Sequence, residues 1–139
     1  MVITPADWGR RKQELLRIRF AVFVDEQGVP PELEHDEHDH HALHLIAMAA
    51  DGTPVATARM LPDGHIGRMA VLPTWRGQGI GTAMLRDLIA FAAERGIGDL
   101  FLNAQCEAES FYRQLGFQTE GGIFQDAGID HRRMTLHLG

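Results

Sequence analysis

The sequence predicts an α/β domain in which a mixed, mostly antiparallel sheet carries helices on both faces, and three observations predict it. Two segments, residues 8–24 and 80–95, repeat apolar residues at helical spacing. Short apolar runs between them are separated by Asp-Gly pairs, which favour tight reversals between antiparallel strands. One such run, "HIGRMAVL", passes through a turn with three glycines directly into the second helical segment.

The elements follow in order. "TPAD" offers Thr4 or Asp7 as the cap of a first helix from Trp8 to about Val24, with Leu15, Leu16, Ile18, Phe20, Val22 and Phe23 on its apolar side. "EQGVPPELEHDEHDHHA" is a loop, with a short helical turn after Pro31. "LHLIAMAA", "VATARML" and "HIGRMAVL" are three successive strands, reversed at "DGTP" and "PDG". From Ile80 to Arg95, Met84, Leu85, Leu88, Ile89, Phe91 and Ala92 make one face, and Gly96 suits the left-handed position after a helix. "DLFLN" is a strand, "AESFYRQL" a short helix closed by Gly116, and "FQTEGGIFQ" and "HRRMTLHL" are strands around "DAG". The predicted order is α, β, β, β, α, β, α, β, β.

A chain of 139 residues fits one domain, 1–139, with 45% hydrophobic and 23% charged residues in the ordinary globular range. No apolar run is long enough to cross a bilayer, and the first residues lack a secretory apolar stretch, so a cytoplasmic protein with no membrane partner is expected. A formal charge of −6 argues against nucleic acid as a partner. The lone Cys106 has no partner for an intrachain bridge or a four-thiolate metal site, and nothing beside it in sequence activates it as a nucleophile.

The glycine turn narrows the chemistry. Gly77, Gly79 and Gly81 leave a backbone bare at the start of a helix, where unpaired N–H groups and the helix dipole favour an anion. A nucleoside triphosphate loop would need Gly-Lys-Ser/Thr, and Thr82 follows Gly81 with no lysine. The dinucleotide pattern G-x-G-x-x-G fails against "GQGIGT". Arg76-x-x-Gly79-x-Gly81 remains, and a diphosphate would satisfy its donors.

On Arg76–Gly81, on "MAVLPTWRGQGIG" around it and on "FYRQLGF" downstream, the chain resembles the GNAT superfamily of acyl-CoA-dependent N-acetyltransferases, with its [Q/R]-x-x-G-x-[G/A] signature. "RIRFAVFVDEQGVPPE" and "LNAQCEAESFYRQLGF" are similar to the small bacterial ElaA-like branch, so the resemblance spans nearly the whole chain. It implies a GNAT fold whose fourth and fifth strands splay apart to bind acyl-CoA. Acetyl-CoA is then the acyl donor, with no metal. Arg76, Gly77, Gln78, Gly79, Ile80, Gly81 and Thr82 would take the diphosphate. Met69, Ala70 and Val71 would offer main-chain partners to pantetheine, and the Val71 amide would hold the oxyanion. Tyr112 would protonate the departing thiolate, from an ordinary phenol pKa near ~10. Gln105 stands where many members have asparagine, and with Tyr112 and Ser110 it would touch the cofactor.

Direct attack by a primary amine needs a base. Glu26, after the apolar "AVFV", is the leading candidate because burial would raise its pKa; Asp36, Glu34 and His131 are alternatives. From Asp25 to His41 there are seven carboxylates and no Lys or Arg, which predicts a solvated acidic loop and a small cationic acceptor. His35, His38, His40, His41 and His44 lie among them, but on a loop they define no metal geometry and read instead as pH-sensitive. A non-catalytic acyl-CoA sensor contacting a partner protein is the alternative function. Assembly is not readable from the residues, although many relatives pair as homodimers through sheet edges or C-terminal strands.

Overall fold

The computed structural model describes residues 1–34 and 36–139, so His35 of the histidine-rich stretch lies outside the described residues. The chain begins with β1 (Val2–Ala6), then α1 (Trp8–Arg19), which widens into π-helical turns over Phe20–Glu26. After α2 (Pro31–Glu34) and a 3-10 turn at Glu37–His40 come β2 (Leu43–Met48), β3 (Pro54–Met60) and β4 (Ile66–Val71). Helix α3 (Ile80–Glu94) leads to β5 (Asp99–Gln105), α4 (Glu109–Gln114), β6 (Gln118–Asp126) and β7 (Ile129–His137).

One element departs from expectation. "VITPA" forms β1, paired antiparallel with β2, where capping residues alone were expected. Pro5 obscures it: proline suits an edge strand, and β1 is the edge of its sheet. Thr4 therefore pairs with Ile46, while Asp7 caps α1 by accepting from the Arg10 amide at 3.0 Å.

Two antiparallel sheets result, ordered β1-β2-β3-β4 and β5-β7-β6. They touch at one parallel bridge, His65 to Phe101, where the Phe101 amide donates to the Gly64 carbonyl at 3.1 Å. Beyond that bridge β4 and β5 part, which is the splay the resemblance implied.

Alternation along β2 distributes its side chains between two apolar layers. Leu45 and Ala47 join Met84, Leu85 and Leu88 of α3, whereas Ile46 joins Leu15 and Ile18 of α1. Helices thus cover both faces of the first sheet. Among the described residues no helix is long and apolar enough to cross a membrane.

The register between β3 and β4 jumps from Thr57–Ala70 to Arg59–Gly67, so Arg68 and Met69 together face Ala58. This bulge holds Arg68 at φ 51°, a left-handed conformation that side chains other than glycine disfavour. It lies beside the gap between β4 and β5.

Candidate active site

The glycine turn has the backbone that its composition predicts. Gly77 and Gly79 sit at φ 77° and 82°, and Gly79 is the left-handed cap of α3, with no side chain capping the helix. A Cβ on Gly81 would come within 3.4 Å of the Phe111 ring, so that glycine also brings α3 close to α4. The first-turn amides of α3 consequently open onto a groove. Arg76, Gly77, Gly79, Ile80, Gly81 and Thr82 line one end, and Met69, Ala70 and Val71 of β4 continue it. Gln78 is exposed on the turn and does not line the groove.

Strand alternation fixes where the Val71 amide points. The Leu72 amide donates to Val55 of β3 at 2.9 Å, and successive amides in a strand face opposite edges. The Val71 amide therefore faces the edge that β5 leaves open. Its carbonyl, on the same side, accepts from Arg76 Nε at 2.9 Å.

Glu26 is not buried as expected. Its side chain is 38% exposed at the mouth of the groove, and both carboxylate oxygens accept from Arg76 at 2.7 Å. The guanidinium holds the carboxyl below its ordinary range, opposite to the shift that a base requires. The two-pronged pair also occupies the head of Arg76.

A second pocket lies across the gap from the groove, and the two share Gln27, Met69, Ala108 and Tyr112. Tyr112 therefore stands where they join, its hydroxyl 3.8 Å from Met69 Sδ. Burial pushes this phenol up to about 12, above the ordinary value expected of it, so it stays protonated across the physiological range. Gln105 lines the second pocket rather than the groove and donates to Gln27 Oε1 at 2.8 Å. Ser110 is exposed and lines neither.

His131 and His65 line the second pocket. His131 is buried, with Nδ1 2.7 Å from the Ile129 carbonyl. A carbonyl only accepts, so Nδ1 carries the proton, and in the neutral ring Nε2 keeps its lone pair. Burial lowers the pKa of His65, which stacks on Phe101.

The acidic stretch is not uniformly solvated. Asp25, Glu26, Glu32 and Glu37 are exposed, but Glu34, Asp36 and Asp39 turn inward onto arginines from the framework. Arg19 bonds Glu34 Oε1 and reaches Asp39 at 2.9 and 3.2 Å. Arg59 meets Asp36 at 2.8 Å and Asp39 at 3.0 Å. Arg68 donates to Asp36 at 3.3 Å and to the carbonyls of Glu34 and Leu33 at 3.3 and 3.2 Å. Desolvation opposes the charge on Asp39, yet the two arginines outweigh it and hold its pKa at about 2.

Of the histidines near this network, His38, His40 and His41 are exposed. His44 is buried against Trp8, with Nε2 2.9 Å from the Asp39 carbonyl. Among the described residues no group of three His, Cys, Asp or Glu is placed to hold a metal. Burial and Glu109 push the Cys106 thiol up, away from the thiolate a nucleophile needs.

No spacing rule singles out Gln27, His65, Arg59 or Arg68. A signal exists for the arginines: Arg19 and Arg59 interrupt otherwise apolar runs, and buried guanidinium groups require carboxylates.

Comparison with known proteins agrees with this geometry. The sequence profile of the acetyltransferase (GNAT) domain matches residues 10–138. An uncharacterised N-acetyltransferase of Bacillus subtilis, YjcF, is 36% identical over 121 residues, covering 84% of this chain and 86% of that protein. The crystal structure of Escherichia coli ElaA superposes with a TM-score of 0.86 at 25% identity, over 97% of this chain and 99% of ElaA. An acyl-CoA N-acyltransferase from Pseudomonas aeruginosa gives 0.86 at 27% identity, over 96% and 97% of the two chains. With the splayed strands, the glycine turn and this match along nearly its whole length, the chain belongs to the GNAT family of N-acetyltransferases.

Proposed function

We propose that the protein moves an acetyl group from acetyl-CoA to a primary amine by direct attack, with no covalent enzyme intermediate. The observation that carries this reading is the junction at Met69 and Tyr112, where a groove ending in bare helix amides meets a separate pocket. A donor in the groove and an acceptor in the pocket would meet there.

The diphosphate would rest on the amides of residues 77–82, and pantetheine would run along the open edge of β4. The Val71 amide would face the thioester oxygen as negative charge develops, which is where a preset donor lowers an acyl-transfer barrier. For the base we propose His131 in place of Glu26. Its free Nε2 would take the amine proton as the C–N bond forms and the C–S bond breaks. Tyr112 would give its proton to the departing sulfur and recover one from the His131 imidazolium, so the enzyme ends unchanged. The raised phenol pKa keeps that donor charged with its proton, and makes a lasting phenolate unfavourable. The acidic stretch favours a cation less than its charge count suggests, because four of the seven carboxylates are already paired with arginine.

The test is thiol release from acetyl-CoA across an amine library, beside calorimetry of acetyl-CoA binding. Binding together with amine-dependent thiol release is expected. Binding without turnover of any amine, in wild type and Tyr112→Phe alike, would favour the sensor reading.

A further inference from the structure

We propose that the acceptor amine also carries an anionic group, a carboxylate or a phosphate monoester, held by Arg59 and Arg68 in the second pocket. This rests on the acetyltransfer reading and specifies its substrate class.

Both arginines line that pocket. Arg59 has a side chain only 7% exposed. Its Nη1 serves Asp36 and Asp39, yet its buried Nε has no hydrogen-bond partner among the described residues. An unsatisfied buried guanidinium N–H is costly, and it leaves this arginine with donor capacity that its carboxylates do not use.

Arg68 is the second observation. The bulge holds it in the left-handed region at φ 51°, a strained state that persists only where the surroundings impose it. Burial, then the like charge of Arg59, pulls its guanidinium below the ordinary value, so the carboxylates present leave its charge incompletely compensated.

The carboxylates facing the same pocket do not argue for a cation in its place. Glu34 is already bonded to Arg19 and lies 3.8 Å from Arg68. Asp36 and Asp39, which complete the network, do not line the pocket. Asp126 does, but it is exposed and sits on the β6–β7 hairpin with His131. The pocket therefore has a donor-rich part at Arg59 and Arg68, and an acceptor-bearing part at His131 and Asp126. An amine with an anionic group matches both parts: its anion meets the arginines and its nitrogen meets His131 and Tyr112.

The experiment measures thiol release by the full chain at saturating acetyl-CoA, with matched acceptors. These are an amino acid, its amide, the decarboxylated amine and a phosphate-bearing amine. A kcat/KM at least about tenfold higher for the carboxylate or the phosphate compound than for its neutral counterpart is expected, roughly the worth of one charge-assisted contact. The two anionic arms tell which group is preferred. Arg68→Gln should erase that preference by raising KM for the anionic acceptors, with Arg68→Lys restoring part of it. Arg59 is too deep in the ion network for a clean substitution, so the wild-type comparison stands beside the Arg68 variants. An amide or decarboxylated amine turned over as well as the anionic compounds would overturn the proposal and leave acetyltransfer intact. Absence of acetyl-CoA binding would overturn both.

Discussion

Glu26 and Arg76, 50 residues apart, hold each other through two 2.7 Å bonds across the mouth of the groove. The contact ties the π-helical end of α1 to the glycine turn. It also makes Glu26 a competitor for the guanidinium that a diphosphate would engage. Glu26→Gln should therefore keep kcat within about threefold and tighten acetyl-CoA binding by a few-fold, in keeping with the modest worth of an exposed ion pair. Steady-state kinetics and calorimetry check this. A collapse of kcat would return Glu26 to the role of base.

Tyr112→Phe removes the proton donor and keeps the ring packed against Phe111 and Phe117. The expected result is a kcat reduced by about 10²-fold or more, the usual worth of a positioned acid, with acetyl-CoA affinity nearly unchanged. Equal losses in binding and turnover would assign the tyrosine to packing.

At Gly79 the φ of 82° makes any side chain strained, although nothing stands within 4 Å of the Cβ position. Gly79→Ala is thus a backbone experiment with no clash. It should cost about 1–2 kcal/mol in stability if the conformation is kept. If the turn relaxes to avoid that strain, its amides move, and acetyl-CoA affinity falls about tenfold for each 1.4 kcal/mol lost. Calorimetry alongside urea melts separates the two effects.

Acid should destabilise the protein over two pH windows. Burial lowers the pKa of His44 and of His65 from 6.5, so the stability tied to their neutral forms is complete above 6.5 and falls as the pH drops through the lowered folded values. Asp39 is lowered from 3.8 to about 2, so its contribution is complete above 3.8 and disappears as the pH falls through about 2. Urea midpoints measured between about pH 7 and pH 2 should drop first below 6.5 and again below 3.8. A flat profile from pH 7 to about pH 5 would contradict the neutral, buried state of the two histidines.

Much of this was legible from local pattern. The helical period of α3, the Asp-Gly reversals and the glycine turn are decided by residues near one another in sequence. What escaped depends on partners far along the chain. β1 is a strand because β2 offers it an edge, and its Pro5 masks the pattern. The inward turn of Glu34, Asp36 and Asp39 depends on Arg19, Arg59 and Arg68, 15 to 34 residues away. Glu26 looked ready for burial beside "AVFV", but Arg76 draws it to the surface. Charge counted along the segment thus misjudged how solvated it is, since four of its seven carboxylates are paired with arginines.

The central claim is that the amides of residues 77–82 and the open edge of β4 grip the donor. Backbone amide NMR during a coenzyme A titration tests it most directly. The account predicts saturable shifts concentrated at Gly77, Gly79, Gly81, Thr82 and Val71. Saturable binding that leaves these amides unmoved would contradict it.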